Sequence, residues 1–473
     1  MSRFDTLVIG AGFSGLAAGI RLALAGQRVA VLERHYLWGG LNSFYKRGGR
    51  LFDTGLHALT NFVPKGTRGT PLARVLRQLR IGWDELALRE QRHSEIVLGG
   101  ERVRFSNDFG LLASEVERLR PERAAAFRAL AEEIRGAPLE LQEQHPLSAR
   151  RELDRRLGDP FLTDLLLLPC CYYGSAQEHD VEWDQFQILF RSIFLEGLSL
   201  PSGGVRPLLR LFTERLENAG GELQTKSEVT RILERDGRAA GVELADGRQL
   251  FAETILSSAG YVETLRLAGR AQDLPAAAHG QLSFLETISV LDRWPHLLGR
   301  PDRPMDAGVI FFSTAARLRY ARPSAPCDLQ SGVISMPTNF KDTPADQEGL
   351  FRVTVLADHA AWIDQPPDHY RAEKARWSEA ALAASEDFCA AVRPYEVFRD
   401  AFTPRTIQHF TRHEQGAIYG SPLKQKSGRT PLPGLFLIGT DQGFLGIVGA
   451  CVSGIAMANL HALKRAGAPE PTG

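Results

Sequence analysis

The stretch from Asp5 to Glu33, DTLVIGAGFSGLAAGIRLALAGQRVAVLE, constrains this chain more than any other. An apolar run (Leu7, Val8, Ile9) meets Gly10-x-Gly12-x-x-Gly15. A helical pattern follows to about Ala25, Gly26 breaks it, and a second apolar run from Arg28 to Leu32 ends at Glu33. Strand, tight turn, helix, strand and terminal acid is the layout that an adenine dinucleotide needs. Gly10 permits the sharp turn, Gly12 lets the backbone approach a pyrophosphate, and Gly15 lets helix and strand pack closely. Phe13 and Ser14 open the helix, whose free N–H groups face the phosphates, and Glu33 can accept from a ribose hydroxyl. The alternative is a glycine-rich turn with a purely structural role. The acid 18 residues past Gly15 favours the dinucleotide.

A chain of 473 residues is too long for one simple core, so two domains are expected. Its 56 basic and 56 acidic residues cancel, which gives no support for a nucleic-acid partner. The five cysteines are an odd number with no CxxC, so neither a disulfide framework nor a metal site is expected. Cys170 and Cys171 read as packed thiols, and a reducing, cytoplasmic setting fits. The N-terminal apolar run does not read as a signal peptide. Asp441 and Gln442 interrupt the Gly434–Leu460 run, so no transmembrane helix is expected.

Along the chain, Gly39-Gly40-Leu41-Asn42 can bring backbone amides close to a ligand, or form an ordinary loop. In Phe52-Asp53-Thr54-Gly55-Leu56-His57, Gly55 marks a close backbone approach. His57 reads either as structural or as acting beside a reactive ring. Residues 68–92 read as a helix carrying Arg74, Arg77 and Arg80 on one face, either solvated or touching a membrane surface. Glu95–Phe105 reads as a hairpin turning at Gly99-Gly100, and residues 110–157 as charged helix. The apolar block 158–200, which includes Tyr173, reads as core or as the wall of a pocket for a greasy substrate. A helix over Val205–Ala219 precedes several strands with turns at Asp236-Gly237 and Asp246-Gly247. Strands then alternate with loops over 280–357, and 370–395 reads as one long helix. The last block is a strand ending at Gly439-Thr440-Asp441, a glycine loop, and Gly446-Ile447-Val448 opening a helix that runs to about Arg465. That helix N-terminus can face an electron-rich group, such as an anionic reduced flavin, and Asp441 can bond ligand hydroxyls. The alternative is a second structural turn.

With both ends read, the chain resembles the flavin-dependent phytoene desaturase, carotenoid isomerase and retinol saturase group of the amine-oxidase-like flavoproteins. The likeness rests on VIGAGFSGLAAGIRLALAGQRVAVLERH, the glycine pair with FDTGLH, GELQTKSEVTRI, TPRTIQHFTRHEQGAIYG and GLFLIGTDQGFLGIVGACVSG. It implies an α/β chain: a discontinuous Rossmann-like FAD-binding domain (1–70, 196–265 and 400–473) with a second α+β substrate domain (71–195 and 266–399). It implies FAD held by Gly10, Gly12, Phe13, Ser14 and Gly15 at the pyrophosphate. Glu33, Arg34 and Val229 would serve the adenosine half. Gly39, Gly40, Leu41, Asn42, Thr54, Gly55, Leu56, Gly439, Asp441, Gly446, Ile447 and Val448 would serve the rest. His57 and Tyr173 are the catalytic candidates. Many relatives carry an arginine after the glycine pair, where this chain has Leu41, so backbone dipoles or another arginine must meet the pyrophosphate.

The resemblance implies desaturation, saturation or isomerisation of carbon–carbon bonds in a small lipophilic, polyene or isoprenoid substrate, by hydride exchange with flavin N5. An external electron donor or acceptor would set the direction, and a peripheral membrane contact would suit such a substrate. An oxidase of amines or small natural-product intermediates is the second reading. It would want an aromatic cage and a lysine near the flavin, and Lys341 is the one lysine in the middle of the substrate domain. A flavin-bound binding protein without turnover is the third.

Overall fold

The computed structural model describes residues 3–138 and 146–463. The expected last turn of the C-terminal helix, to Arg465, and part of the 110–157 helical stretch lie outside the described residues. Five short parallel strands form one sheet, in the order Leu435–Leu437, Thr254–Ser257, Thr6–Ile9, Val29–Leu32 and Glu222–Gln224. The central strands are buried throughout, as expected of a parallel sheet covered on both faces. One face carries the helices Phe13–Ala23, Val205–Asn218 and Gly446–Met457. The other carries a three-stranded antiparallel sheet, Val229–Arg235, Arg238–Leu244 and Gln249–Phe251, whose Ile232, Val242 and Leu250 pack on Leu7, Ile9 and Leu32. The Asp236-Gly237 turn takes positive φ at both residues (52° and 72°), the conformation a tight hairpin favours.

Two glycines make the close packing possible. A Cβ on Gly15 would collide with the carbonyl oxygen of Gly10, and one on Gly454 with the carbonyl oxygen of Ser14. The first and last long helices of the fold therefore touch backbone to backbone.

A seven-stranded sheet faces this layer. Its order is Glu396–Phe402, Ser283–Leu291, Gly349–Ala357, Cys327–Ser335, Val309–Ser313, Ser94–Leu98 and Glu101–Phe105. All pairs are antiparallel except Val309–Ser313 with Ser94–Leu98. The expected hairpin at Gly99-Gly100 is present as its edge. The helices Pro160–Gly174 and Trp183–Phe190 cover one face, packing on Phe311 and Val333. The helix Pro367–Ser385 covers the other, through Ala381 and Leu382 against Val353 and Val355.

Two helices are shorter than their periodicity predicts. Within 68–92 only Pro71–Leu79 is α-helical: Thr70 caps it, and Arg80 turns left-handed (φ 55°) to end it. A 3-10 turn and the strand Leu88–Glu90 take up the rest. The helix expected over 370–395 spans Pro367–Ser385, beyond which Phe388 and Cys389 turn back into the core. No helix among the described residues is long and apolar enough to cross a membrane. All five cysteines are buried free thiols, and burial pushes the Cys170 and Cys171 thiols well up.

Candidate active site

A single cavity of about 1120 Å³ runs from the C-terminal ends of the parallel strands to the face of the seven-stranded sheet. Ile9, Leu32, Ser258 and Ile438, at or just past four strand ends, all line it, which is where open α/β sheets bind ligands.

At this end the walls are mostly backbone. Gly10 sits at φ +92°, and a Cβ there would strike the Ser258 hydroxyl. Gly12 differs: its φ of −71° and ψ of 175° suit any residue, and a Cβ would meet no protein atom within 4 Å. Nothing in the protein itself demands glycine at this position, but a ligand pressed against the turn would. The helix Phe13–Ala23 starts beside it with no side-chain cap and no acid in its first turn, so its orphan N–H groups suit an anion. The helix Gly446–Met457 starts the same way, uncapped and without an acid, and its Gly446 and Ile447 line the same cavity. The fixed shape, the open space at Gly12 and the paired helix N-termini fit an extended dinucleotide.

The two glycine turns are stitched together. Gly39 N–H donates to the Ala11 carbonyl (2.9 Å), with Gly39 left-handed at φ 111°. Thr54 Oγ1 donates to the Leu41 carbonyl (2.7 Å), and a Cβ on Gly55 would crowd that same carbonyl. The close approach expected at Gly55 is thus between two stretches of this chain. Glu33 accepts from Ala11 N–H (3.0 Å) and His35 N–H (2.8 Å). Arg34 donates to the carbonyls of His409 (3.0 Å) and Phe410 (2.9 Å) at the end of the helix Pro404–Thr411. Asp441 is buried, and both its oxygens already accept from protein: Ser421 N–H (2.8 Å), Tyr261 N–H (2.6 Å) and Lys424 Nζ (3.3 Å). It shapes the wall more than it reaches into the cavity. Of the residues expected to touch cofactor, Gly15 and Val448 do not line the cavity: Gly15 is spent on packing, and Val448 is buried in the helical layer. All the others do, as do His57 and Tyr173. With Leu41 in place of arginine, the arginines of the lining are Arg34, Arg47, Arg266 and Arg412. Arg266 is held by Glu414 at 2.7 Å.

The far end is built of side chains. Tyr172, Tyr173, Leu189, Phe284, Ile418 and Tyr419 line it. Phe284 stacks on Tyr172 (6.0 Å) and meets Tyr419 edge-on (6.1 Å). Of the apolar block 158–200, only Tyr172, Tyr173 and Leu189 reach the cavity, and most of the rest is core. Lys341 is not in the wall. It pairs with Glu90 (2.9 Å), both half-exposed.

Within this apolar end lies a buried polar cluster that sequence reasoning missed. Glu286 and Thr354 are directly paired across neighbouring strands, and Arg352 lies two residues along the same face. Arg352 Nε donates to Glu286 Oε1 (2.6 Å), and Thr354 Oγ1 donates to Glu286 Oε2 (2.9 Å). Arg352 also donates to the Leu56 carbonyl (3.0 Å) and to the Thr54 carbonyl, bracing the FDTGLH loop. His57 Nε2 lies 2.9 Å from Glu286 Oε2. Burial alone would push Glu286 up, but the Arg352 guanidinium and the His57 ring more than offset it and hold the carboxyl below its ordinary value. Among the described residues, His57 Nδ1 and the Tyr173 hydroxyl are buried here without a hydrogen-bond partner. Burial raises the Tyr173 phenol, so it keeps its proton. The signal for the cluster was one charge in each of two apolar strands, Glu286 in Ser283–Leu291 and Arg352 in Gly349–Ala357.

Residues 13–460 match the sequence model of the flavin containing amine oxidoreductases, nearly the whole chain. The chain belongs to the flavin-containing amine oxidoreductase family. It is therefore a flavin-dependent oxidoreductase of α/β fold. Within this family, the chloroplastic prolycopene isomerase of Arabidopsis thaliana is 24% identical over 497 residues, covering 97% of this chain and 82% of its own. Human all-trans-retinol 13,14-reductase is 24% identical over 550 residues, covering 97% and 86%. Among solved structures, an oxidoreductase from Methanosarcina mazei superposes with a TM-score of 0.66 at 17% identity, covering 96% of this chain and 99% of its own. Putrescine oxidase bound to putrescine gives 0.61 at 18% identity, covering 97% and 98%. These superpositions show the same overall fold over nearly the whole chain.

Proposed function

We propose that the chain is an FAD-dependent oxidoreductase that desaturates, saturates or isomerises carbon–carbon bonds of a lipophilic, polyene or isoprenoid, substrate. One observation carries the reading: the seat for an extended dinucleotide opens without a break into a chamber walled by Tyr172, Leu189, Phe284 and Ile418. The relatives named for prolycopene and for retinol point the same way. A bound flavin supplies the hydride acceptor or donor.

In this reading Gly10, Gly12, Phe13 and Ser14 seat the pyrophosphate, and Glu33, Arg34 and Val229 the adenosine half. Gly39–Asn42, Thr54–Leu56, Gly439, Asp441, Gly446 and Ile447 hold the remainder. Gly15 and Val448 act through packing. The chamber excludes water and aligns the substrate, and His57 and Tyr173 are its proton-handling groups. The FAD-binding part is 1–70, 196–265 and 400–473, and the substrate part is 71–195 and 266–399. An external electron donor or acceptor sets the direction. The buried thiols suit a cytoplasmic setting. Tyr36 and Phe410 in the cavity wall, 59% and 52% exposed, suit a peripheral membrane contact through which a lipophilic substrate enters.

An oxidase of amines is the second reading, favoured by the aromatic walls at Tyr172, Phe284 and Tyr419. One experiment separates the two. The FAD-loaded protein is mixed anaerobically with all-trans-retinol, with a cis-carotenoid and with a panel of amines, and the flavin absorbance is followed. The dithionite-reduced protein is then offered the same polyenes. Bleaching or reoxidation by a polyene is expected. Bleaching by amines alone would replace the proposal with the second reading.

A further inference from the structure

Glu286 accepts on both oxygens and, ionised, can only accept. Its Oε1 takes Arg352, and its Oε2 takes Thr354 and His57 Nε2. The nitrogen of His57 that faces it must therefore carry the ring hydrogen. In the neutral ring that leaves Nδ1 with a bare lone pair, and Nδ1 is buried with no hydrogen-bond partner among the described residues. His57 and Glu286 both line the cavity, but the His57 side chain is 14% exposed and Glu286 only 1%, while Arg352, at 4%, lies outside the lining. Arg352 cannot lose its proton, so its charge stays beside Glu286 whatever happens to His57.

We propose that Glu286, braced by Arg352 and Thr354, is a positioning residue that fixes His57 as the Nε2–H tautomer, so that Nδ1 exchanges the proton that accompanies hydride transfer. The inference rests on the flavin reaction on carbon–carbon bonds proposed above. In the oxidative direction a bound oxidised flavin would accept the hydride that one carbon gives up. The neighbouring C–H bond breaks, its electron pair becomes the new double bond, and its proton forms a bond to Nδ1. The imidazolium so formed is paired with the Glu286 carboxylate. In the reductive direction a bound reduced flavin would supply the hydride to one carbon, and Nδ1–H returns the proton to the neighbouring carbon.

The isosteric variant Glu286→Gln makes a sharp test. Arg352 has only donors, so it holds the amide oxygen and turns the amide nitrogen toward His57. That nitrogen donates to Nε2 and moves the ring hydrogen to Nδ1, and the lone pair needed for proton exchange is lost. The wild-type and variant proteins, both loaded with FAD and labelled with nitrogen-15 histidine, are compared by long-range proton–nitrogen correlation over a pH series, and the tautomer is read from the neutral ring. The His57 signals are assigned by their absence in His57→Gln. Hydrogen on Nε2 in wild type and on Nδ1 in Glu286→Gln is expected. In single turnover with the polyene that bleaches the wild type, the variant is expected to be slower by about 10²–10⁴-fold, with polyene affinity within about twofold. Thr354→Val, which keeps the carboxylate, is expected to leave hydrogen on Nε2 and decides the matter should Glu286→Gln fail to fold. Hydrogen on Nδ1 in wild type, on Nδ1 in Thr354→Val, or an unchanged tautomer or rate in Glu286→Gln would each overturn the proposal. If no polyene bleaches the oxidised wild type or reoxidises the reduced one, the substrate class falls, and the tautomer readings still test the positioning.

Discussion

The two ends of the cavity are made of different material. The dinucleotide end is walled by backbone: two uncapped helix N-termini and turns at Gly10, Gly12, Gly39 and Gly446. The chamber end is walled by side chains, with one charged cluster (Glu286, Arg352, Thr354, His57) set among aromatic and aliphatic groups. Backbone amides in a fixed turn recognise phosphate whatever the neighbouring side chains, whereas a chamber of side chains can be re-specified one residue at a time. In the function proposed above, the first end serves the cofactor and the second the substrate.

The largest expected effect lies at the chamber end. Arg352→Met would leave Glu286 buried without its counter-charge, which costs about 3–5 kcal/mol of stability. It would also release the Thr54 and Leu56 carbonyls. Denaturant unfolding of the apoprotein measures this, and a loss below about 1 kcal/mol would mean that the cluster is not the keystone it is taken for.

Next comes a contrast between two glycines three positions apart. Gly15→Ala drives a methyl into the Gly10 carbonyl and should cost about 1–3 kcal/mol of folding stability. Gly12→Ala meets no protein atom and should leave apoprotein stability within about 0.5 kcal/mol. It should nevertheless weaken FAD at least about tenfold, which is about 1.4 kcal/mol of binding. If Gly12→Ala binds FAD like the wild type, the open space beside it is not a ligand seat.

A smaller effect follows from acid. The Glu286 carboxyl lies below its ordinary value in the folded chain, so its contribution is fully present above the unfolded carboxylate range. That contribution is lost as pH falls through the folded value. Unfolding free energy measured on acidification should fall less steeply in Glu286→Gln than in wild type, and parallel curves would count against an ionised Glu286. Smallest of all, Arg74→Gln and Arg77→Gln, on an exposed helix face, should change stability by no more than about 0.5 kcal/mol.

The same contrast explains what could be read from the sequence. A turn that needs φ +92° at Gly10, or a contact that excludes a Cβ at Gly15, writes itself into the chain as glycine at fixed spacing. The strand, turn, helix and strand at the opening and the glycine loop before Gly446–Met457 are therefore legible as backbone shapes. The chamber cluster was not, because its members lie on strands and a loop that only the fold brings together: His57 and Glu286 are far apart in the chain. For Asp441 the place in the motif is visible in the sequence, while the Ser421, Tyr261 and Lys424 groups that fix its carboxylate in the cavity wall are not. Helix ends were misjudged at Arg80 and after Ser385 because hydrophobic periodicity continues past the residue where the backbone turns away.

The contact of Gly454 with the Ser14 carbonyl has a consequence for how the molecule comes into being. The opening glycine turn is encoded in the first tens of residues, but its helix, which also packs on Val205–Asn218, is not covered in full until the last long helix arrives to lie against it. Closing such a distant contact is slow, because the intervening chain must surrender its freedom first. An early folding intermediate would hold the glycine turn without the rigid span between the two helix starts. Tight cofactor retention should therefore appear late in refolding, in step with the docking of Gly446–Met457, and after the seven-stranded sheet has formed.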